Sequence, residues 1–263
     1  MNNKPQTLNY IFSFLGGLLL MFILLPLVST LLGTSPGQFW QTLIDPEVLR
    51  SFAVTFSAAA AATAIALLTG VPLAYLLARR KFHGKRLAEA LINLPIIIPH
   101  TAAGIALLLV FGRQGVLGQW LTPLGVTFTD NFGGIMVGML FVSLPYLVNM
   151  SREAFALVDE ELERIAMIDG ASAWQSFWHV PLPLAWRGVL GGAVMMWARG
   201  ISEFGAIVIL AYNPKIVPVL VYERFNGFGL GAAQPVAALL IVVAIIVFVL
   251  LQFSPLPERK SIP

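Results

Sequence analysis

The chain has 263 residues, 58% of them hydrophobic and only 11% charged. Soluble domains run at roughly 45–50% apolar and about 25% charged, so a water-soluble fold is excluded, as is intrinsic disorder. The net charge of +3 is too small and too local to imply a nucleic-acid partner, and the lack of cysteine excludes disulfides and thiol chemistry.

Charge-free stretches cover 5–44, 51–78, 90–112, 131–151 and 225–257. Each holds the ~20 residues that cross a hydrocarbon layer about 30 Å thick. In chain order the apolar runs predict six transmembrane helices, at 9–32, 52–78, 89–111, 132–151, 185–210 and 232–252. The expected fold is therefore all-α: a polytopic membrane protein forming one domain over 1–263. The first run is too long for a signal-peptide core and is read as a retained span. The fifth contains Arg199 and Glu203 but is apolar on either side of them.

Six spans put both termini on one side. Lys4, the basic cluster at 79–86, Arg152, Arg164, Arg187, Arg259 and Lys260 fall on that side, against Arg50, Arg113, Lys215 and Arg224 on the other. The positive-inside rule then makes both termini cytoplasmic. Small residues (the alanine run 58–62, Gly188 and Gly192, Gly200 and Gly205) mark where helices approach closely. Pro26, Pro72, Pro95, Pro99 and Pro145 permit kinks.

No chemistry of catalysis is visible. The Gly84-Lys85 pair lacks the context of a phosphate-binding loop, and His83, His100 and His179 lack metal-ligand spacing. The expectation is no catalytic residue, no metal and no cofactor.

The connector 152–183 is far longer than an ordinary helix–helix link and has its own pattern. Asp159, Glu160 and Glu161 open a helix, Leu162, Ile165 and Ala166 mark one apolar face, and Gly170 stops it. Ser172 and Gln175 have capping-box spacing for a second short helix, with Trp174, Phe177 and Trp178 on its apolar side and Pro181 and Pro183 closing it. The result is a helix–Gly–helix elbow on the cytoplasmic face. Its acidity favours a protein partner over an anionic lipid surface.

This elbow resembles the EAA loop of prokaryotic ABC-importer permeases, whose pattern is E-A-A-x3-G-x9-I-x-L-P. Counting from Gly170, the second Ala falls on Ala166, Ile165 replaces the first, and Arg164 holds the Glu position with Glu163 one residue earlier. Val180 replaces the Ile, and Leu182 and Pro183 match. The resemblance implies that Glu163, Ile165, Ala166, Gly170, Val180, Leu182 and Pro183 form an ATPase-coupling loop.

A second stretch, WARGISEFGA at 197–206, resembles permeases that import tetrahedral oxyanions. Together with LPIIIPHTAAG at 94–104 and YER at 222–224, it is similar to archaeal molybdate/tungstate permeases across 45–244. The resemblance implies a prokaryotic cell-membrane homodimer working with two ABC ATPase subunits and an extracytoplasmic substrate-binding protein, with ATP hydrolysis on the partner. Sulfate or thiosulfate is the alternative cargo. A self-contained secondary transporter is disfavoured, because only His100, Arg199 and Glu203 are ionisable near the middle of spans. The paired charges Arg199 and Glu203, with His100 and Ser202, are the expected translocation-pathway residues.

Overall fold

The computed structural model describes residues 4–253, and every regular element among them is helical. Arg259 and Lys260, used above for orientation, lie outside the described residues. In chain order the helices are α1 (Lys4–Leu32), α2 (Pro36–Ile44), α3 (Pro46–Arg79), α4 (Lys85–Ile97), α5 (His100–Phe111), α6 (Gly118–Leu121) and α7 (Phe132–Ala156). There follow α8 (Glu160–Ile168), α9 (Ala173–His179), α10 (Pro181–Ile201), α11 (Ile207–Leu210), α12 (Val217–Phe228) and α13 (Leu230–Phe253). The chain divides into two compact units, one of Met1–Arg50 with Leu220–Pro263 and one of Ser51–Val219.

Among the described residues four helices are long and apolar enough to cross a membrane: Leu8–Leu32, Pro46–Arg79, Phe132–Ala156 and Leu230–Val249. The α4–α5 pair adds a fifth if it is taken as one broken span. The expected count of six is thus not reached, and the two differences have physical causes. The expected third span, 89–111, is two helices bent by 115°. Pro99 has no N–H to donate and forces Ile98 into an extended conformation (φ −73°, ψ 142°), which ends α4. The expected fifth span, 185–210, stops at Ile201, and only the single turn of α11 resumes it. The helix-interior prolines (Pro26, Pro72, Pro95, Pro145, Pro235) lie inside continuous helices.

In the first unit α1 is apolar all round, and none of its most hydrophobic stretch is buried by this chain. Such a helix cannot be stable facing water; lipid or another chain must cover it. Its C-terminal end meets α13, where Gln234 Nε2 donates to the Thr30 carbonyl at 3.2 Å. The Ser35–Gln38 capping box starts α2. Beyond it, Arg224 reaches Asp45 at 2.6 Å and Glu47 at 3.3 Å. Burial pushes the Asp45 carboxyl up, but the hydrogen bond and charge of Arg224 together with the backbone amides of Glu47 and Val48 outweigh it and hold the group below its usual value.

The second unit is organised by α7 packed along α10. The glycines singled out above make this approach possible. A Cβ on Gly188 would stand 2.3 Å from the Ala154 Cβ, and one on Gly192 would stand 3.1 Å from the Leu147 carbonyl oxygen. The alanine run likewise turns inward, with Ala58, Ala59 and Ala62 at most 1% exposed. Without a hydrophobic drive between helices in lipid, close backbone packing of this kind supplies the association.

Candidate functional site

The elbow forms as its local signals require. The Asp159 carboxylate accepts the Glu161 amide at 2.9 Å, capping α8. At its far end Gly170 sits at φ +96°, and the Ala171 amide returns to the Ala166 carbonyl at 3.0 Å. This is a left-handed helix stop that glycine adopts without strain. Ser172 and Gln175 then form a complete capping box on α9. Helix α9 ends at His179, just before Pro181, as expected, whereas Pro183 lies within the next helix. Pro181 is the first residue of α10, where its missing N–H costs no helical bond. Val180 is the hinge residue between the two helices, Leu182 is buried and Pro183 exposed.

Which face of α8 turns inward is the reverse of the ordinary pattern. Glu163 is 7% exposed, while Leu162, Ile165 and Ile168 are 45%, 49% and 82% exposed. The carboxylate of Glu163 is held by α3: Tyr75 donates its hydroxyl at 2.5 Å and Arg79 donates Nε at 2.7 Å. Of the three aromatic residues expected on the apolar side of α9 only Phe177 is buried, its ring against Tyr75 (4.9 Å) and near Phe155 (6.1 Å), while Trp174 and Trp178 remain exposed. Sequence reasoning missed Tyr75 and Arg79. Their four-residue spacing on one face of α3 was the available signal, but Arg79 was absorbed into the basic cluster.

The second constellation brings together all four expected pathway residues. An Arg199 guanidinium nitrogen lies 2.9 Å from the Glu203 carboxylate and 2.9 Å from His100 Nδ1. His100 Nδ1 is itself 3.0 Å from Glu203. Ser202 donates to the Arg199 carbonyl at 3.0 Å and accepts from its guanidinium at 3.3 Å. The Glu203 side chain is fully buried, whereas those of His100 and Arg199 are 36% and 21% exposed.

Arg199 and Glu203 do not share a helix face, as the spacing suggested, because α10 ends between them. The pair forms because the chain turns there and the other Glu203 oxygen accepts the Ala206 amide at 2.9 Å. The break in α10 thus lies against the break between α4 and α5. A Cβ on Gly205 would stand 2.7 Å from the His100 Cβ, and one on Gly104 would stand 2.7 Å from the Ala206 carbonyl oxygen.

A polar seam between α4 and α7 was also missed: Asn149 donates to Asn93 at 2.6 Å, and Arg152 meets Glu89 at 3.0 Å. Among the described residues no three His, Cys, Asp or Glu side chains gather into a metal site.

Comparison with known proteins places this architecture. Residues 70–259 match the family described as binding-protein-dependent transport system inner membrane component. The molybdate/tungstate transport system permease protein WtpB of Thermococcus kodakarensis is 40% identical over 96% of this chain and 97% of its own. The protein of the same name from Pyrococcus furiosus is 42% identical over 95% of this chain and 96% of its own. The sulfate transport system permease protein CysT of Synechocystis is 30% identical over 89% of this chain and 84% of its own. Among solved structures, a chain of the bacterial alginate ABC transporter in complex with its pentasaccharide-bound periplasmic protein shares the fold. Its TM-score is 0.77 at 16% identity, over 98% of this chain and 97% of that one. A family match over most of the chain and relatives this similar along nearly all of it allow one assignment: the chain belongs to the binding-protein-dependent transport system inner membrane components.

Proposed function

We propose that this chain is the permease subunit of an ATP-driven importer that carries molybdate or tungstate across a prokaryotic cell membrane. It acts as a single permease domain, in a homodimer with two separate ABC ATPase subunits and an extracytoplasmic substrate-binding protein, and its termini are cytoplasmic. One observation carries the coupling part: a capped elbow that exposes Leu162, Ile165 and Ile168 while burying Glu163. Exposed apolar side chains on a helix already ordered by its own caps suit a surface that docks into a partner's cleft. The names of the relatives support the cargo, with the molybdate/tungstate proteins more similar than the sulfate permeases.

In this reading ATP draws the partner subunits together and the elbow transmits that movement to α3 and α10. The facing breaks of α4–α5 and α10–α11 lie at the pathway. Broken helices at a membrane site turn backbone amides toward anionic cargo, and α5 starts at such a break with no side-chain cap. Arg199 supplies positive charge there. Its pairing with Glu203 keeps that charge from holding a dianion too firmly to leave.

The test is uptake by proteoliposomes that contain this chain, its ATPase and its binding protein. ATP-dependent accumulation of labelled molybdate or tungstate is the expected result. Accumulation of sulfate alone would overturn the cargo, and uptake without the ATPase would overturn the coupling.

A further inference from the structure

Helix α8 is nine residues long, too short to hold its own orientation by intrinsic helicity. At 3.6 residues per turn, Ile165 and Ile168 lie on the side opposite Glu163. Left to the hydrophobic effect, the helix would roll to bury those two side chains and release the carboxylate to water. It is found rolled the other way.

Three groups oppose the hydrophobic roll. Tyr75 and Arg79 project from one face of α3 and both donate to Glu163. The side chains of Arg79 and Glu163 are 8% and 9% exposed, so withdrawing the carboxylate would leave a guanidinium buried without its counter-charge. The Ser176 hydroxyl of α9 donates to the Glu163 carbonyl at 3.4 Å, and the Phe177 ring packs on Tyr75. The end of α3, helix α8 and helix α9 are thereby tied at one point.

We infer that Tyr75, Arg79 and Glu163 form a latch that fixes the roll of α8 and so decides which face of the elbow is offered to a partner. These are positioning residues, and their part in transport rests on the ABC-importer reading above. The elbow is then not a free connector. Its apolar face points outward because a buried ion pair holds the opposite face in, and a push on α8 is delivered to α3 through the same bonds.

The cysteine-free sequence allows a direct test. Single cysteines replace Ile165 or Ile168 in the full-length purified chain, and their reaction with a maleimide is timed. With the latch intact both react fast. In Glu163→Gln and in Tyr75→Phe the two rates fall, by about tenfold in Glu163→Gln, because the roll equilibrium passes from mostly exposed to mostly buried. General loosening would raise both rates, so the direction separates a roll from mere destabilisation. The swap Arg79→Glu with Glu163→Arg restores them.

Unchanged or raised rates in Tyr75→Phe, the variant that removes one hydroxyl only, would overturn the latch. The second arm adds the ATPase subunit and binding protein and compares substrate-stimulated with basal ATP hydrolysis. Slowed maleimide reaction with full stimulation would leave the latch standing and overturn its role in coupling.

Discussion

Arg199 and Glu203 meet at 2.9 Å across the end of a helix, with the arginine in its last turn and the glutamate beyond it. The pair is therefore part of what ends α10. One Glu203 oxygen binds Arg199, the other takes the Ala206 amide, and His100 of α5 closes the cluster.

Glu203→Gln is expected to lower stability by about 1–3 kcal/mol, since a neutral amide cannot balance Arg199 in a buried setting. A melting curve of the purified chain measures this. Labelled-molybdate uptake, corrected for folded protein, is expected to change as well, because Arg199 is left with uncompensated charge at the proposed pathway. Normal uptake in a well-folded variant would remove Glu203 from that pathway.

Gly170→Val should strain the elbow without disturbing the helices that cross the membrane. No neighbouring atom lies within 4 Å of a Cβ there, so the whole cost comes from φ +96°, about 1–2 kcal/mol for a residue with a side chain. Membrane insertion is expected to be unchanged and substrate-stimulated ATP hydrolysis in proteoliposomes reduced. Gly170→Asn, which tolerates the left-handed region better, should fall between the two.

Gly188→Val tests the α7–α10 seam. Its Cβ would overlap that of Ala154, so the helices must separate or shift, at about 1–3 kcal/mol. The expected result is a lower Tm with an unchanged helical content by circular dichroism. A paired Ala154→Gly change should recover part of the loss.

The Asp45–Arg224 bridge predicts a pH dependence in the first unit. The folded-state carboxyl titrates below its ordinary value of 3.8. Its contribution is thus fully present above that pH and is lost as pH falls through the lower, folded value. Arg224→Gln should be less stable than the parent at neutral pH, and the difference should shrink on acidification below about pH 4. Thermal melts of both chains across an acid series read this directly.

Cysteines placed at Thr101 and Ser202, beside the two helix breaks, are expected to react with aqueous thiol reagents in a nucleotide-dependent way in the assembled transporter. Positions on α1 and α13 should show no such dependence. The reverse pattern would move the pathway away from α5 and α10.

The sequence by itself determined the membrane class, because charge-free runs of bilayer length need no tertiary context to be read. It also determined the elbow, whose Asp159 cap, Gly170 stop and Ser172–Gln175 box each act within a few residues. Small residues at Gly188 and Gly192 likewise announced a close seam, though not that α7 would fill it. Only the tertiary structure decided how far the apolar runs stay straight. The sequence shows Pro99 but not the 115° turn it permits, since a neighbouring helix must receive the freed backbone. The inward face of α8 was equally beyond local reading. Periodicity assigns Leu162 and Ile165 to the buried side, and a carboxylate overrides it only because Tyr75 and Arg79, more than 80 positions away, arrive to satisfy it. The i,i+4 spacing of Tyr75 and Arg79 marks a shared face of α3 but does not say which charge it will meet, whereas caps and spans are written in the local pattern.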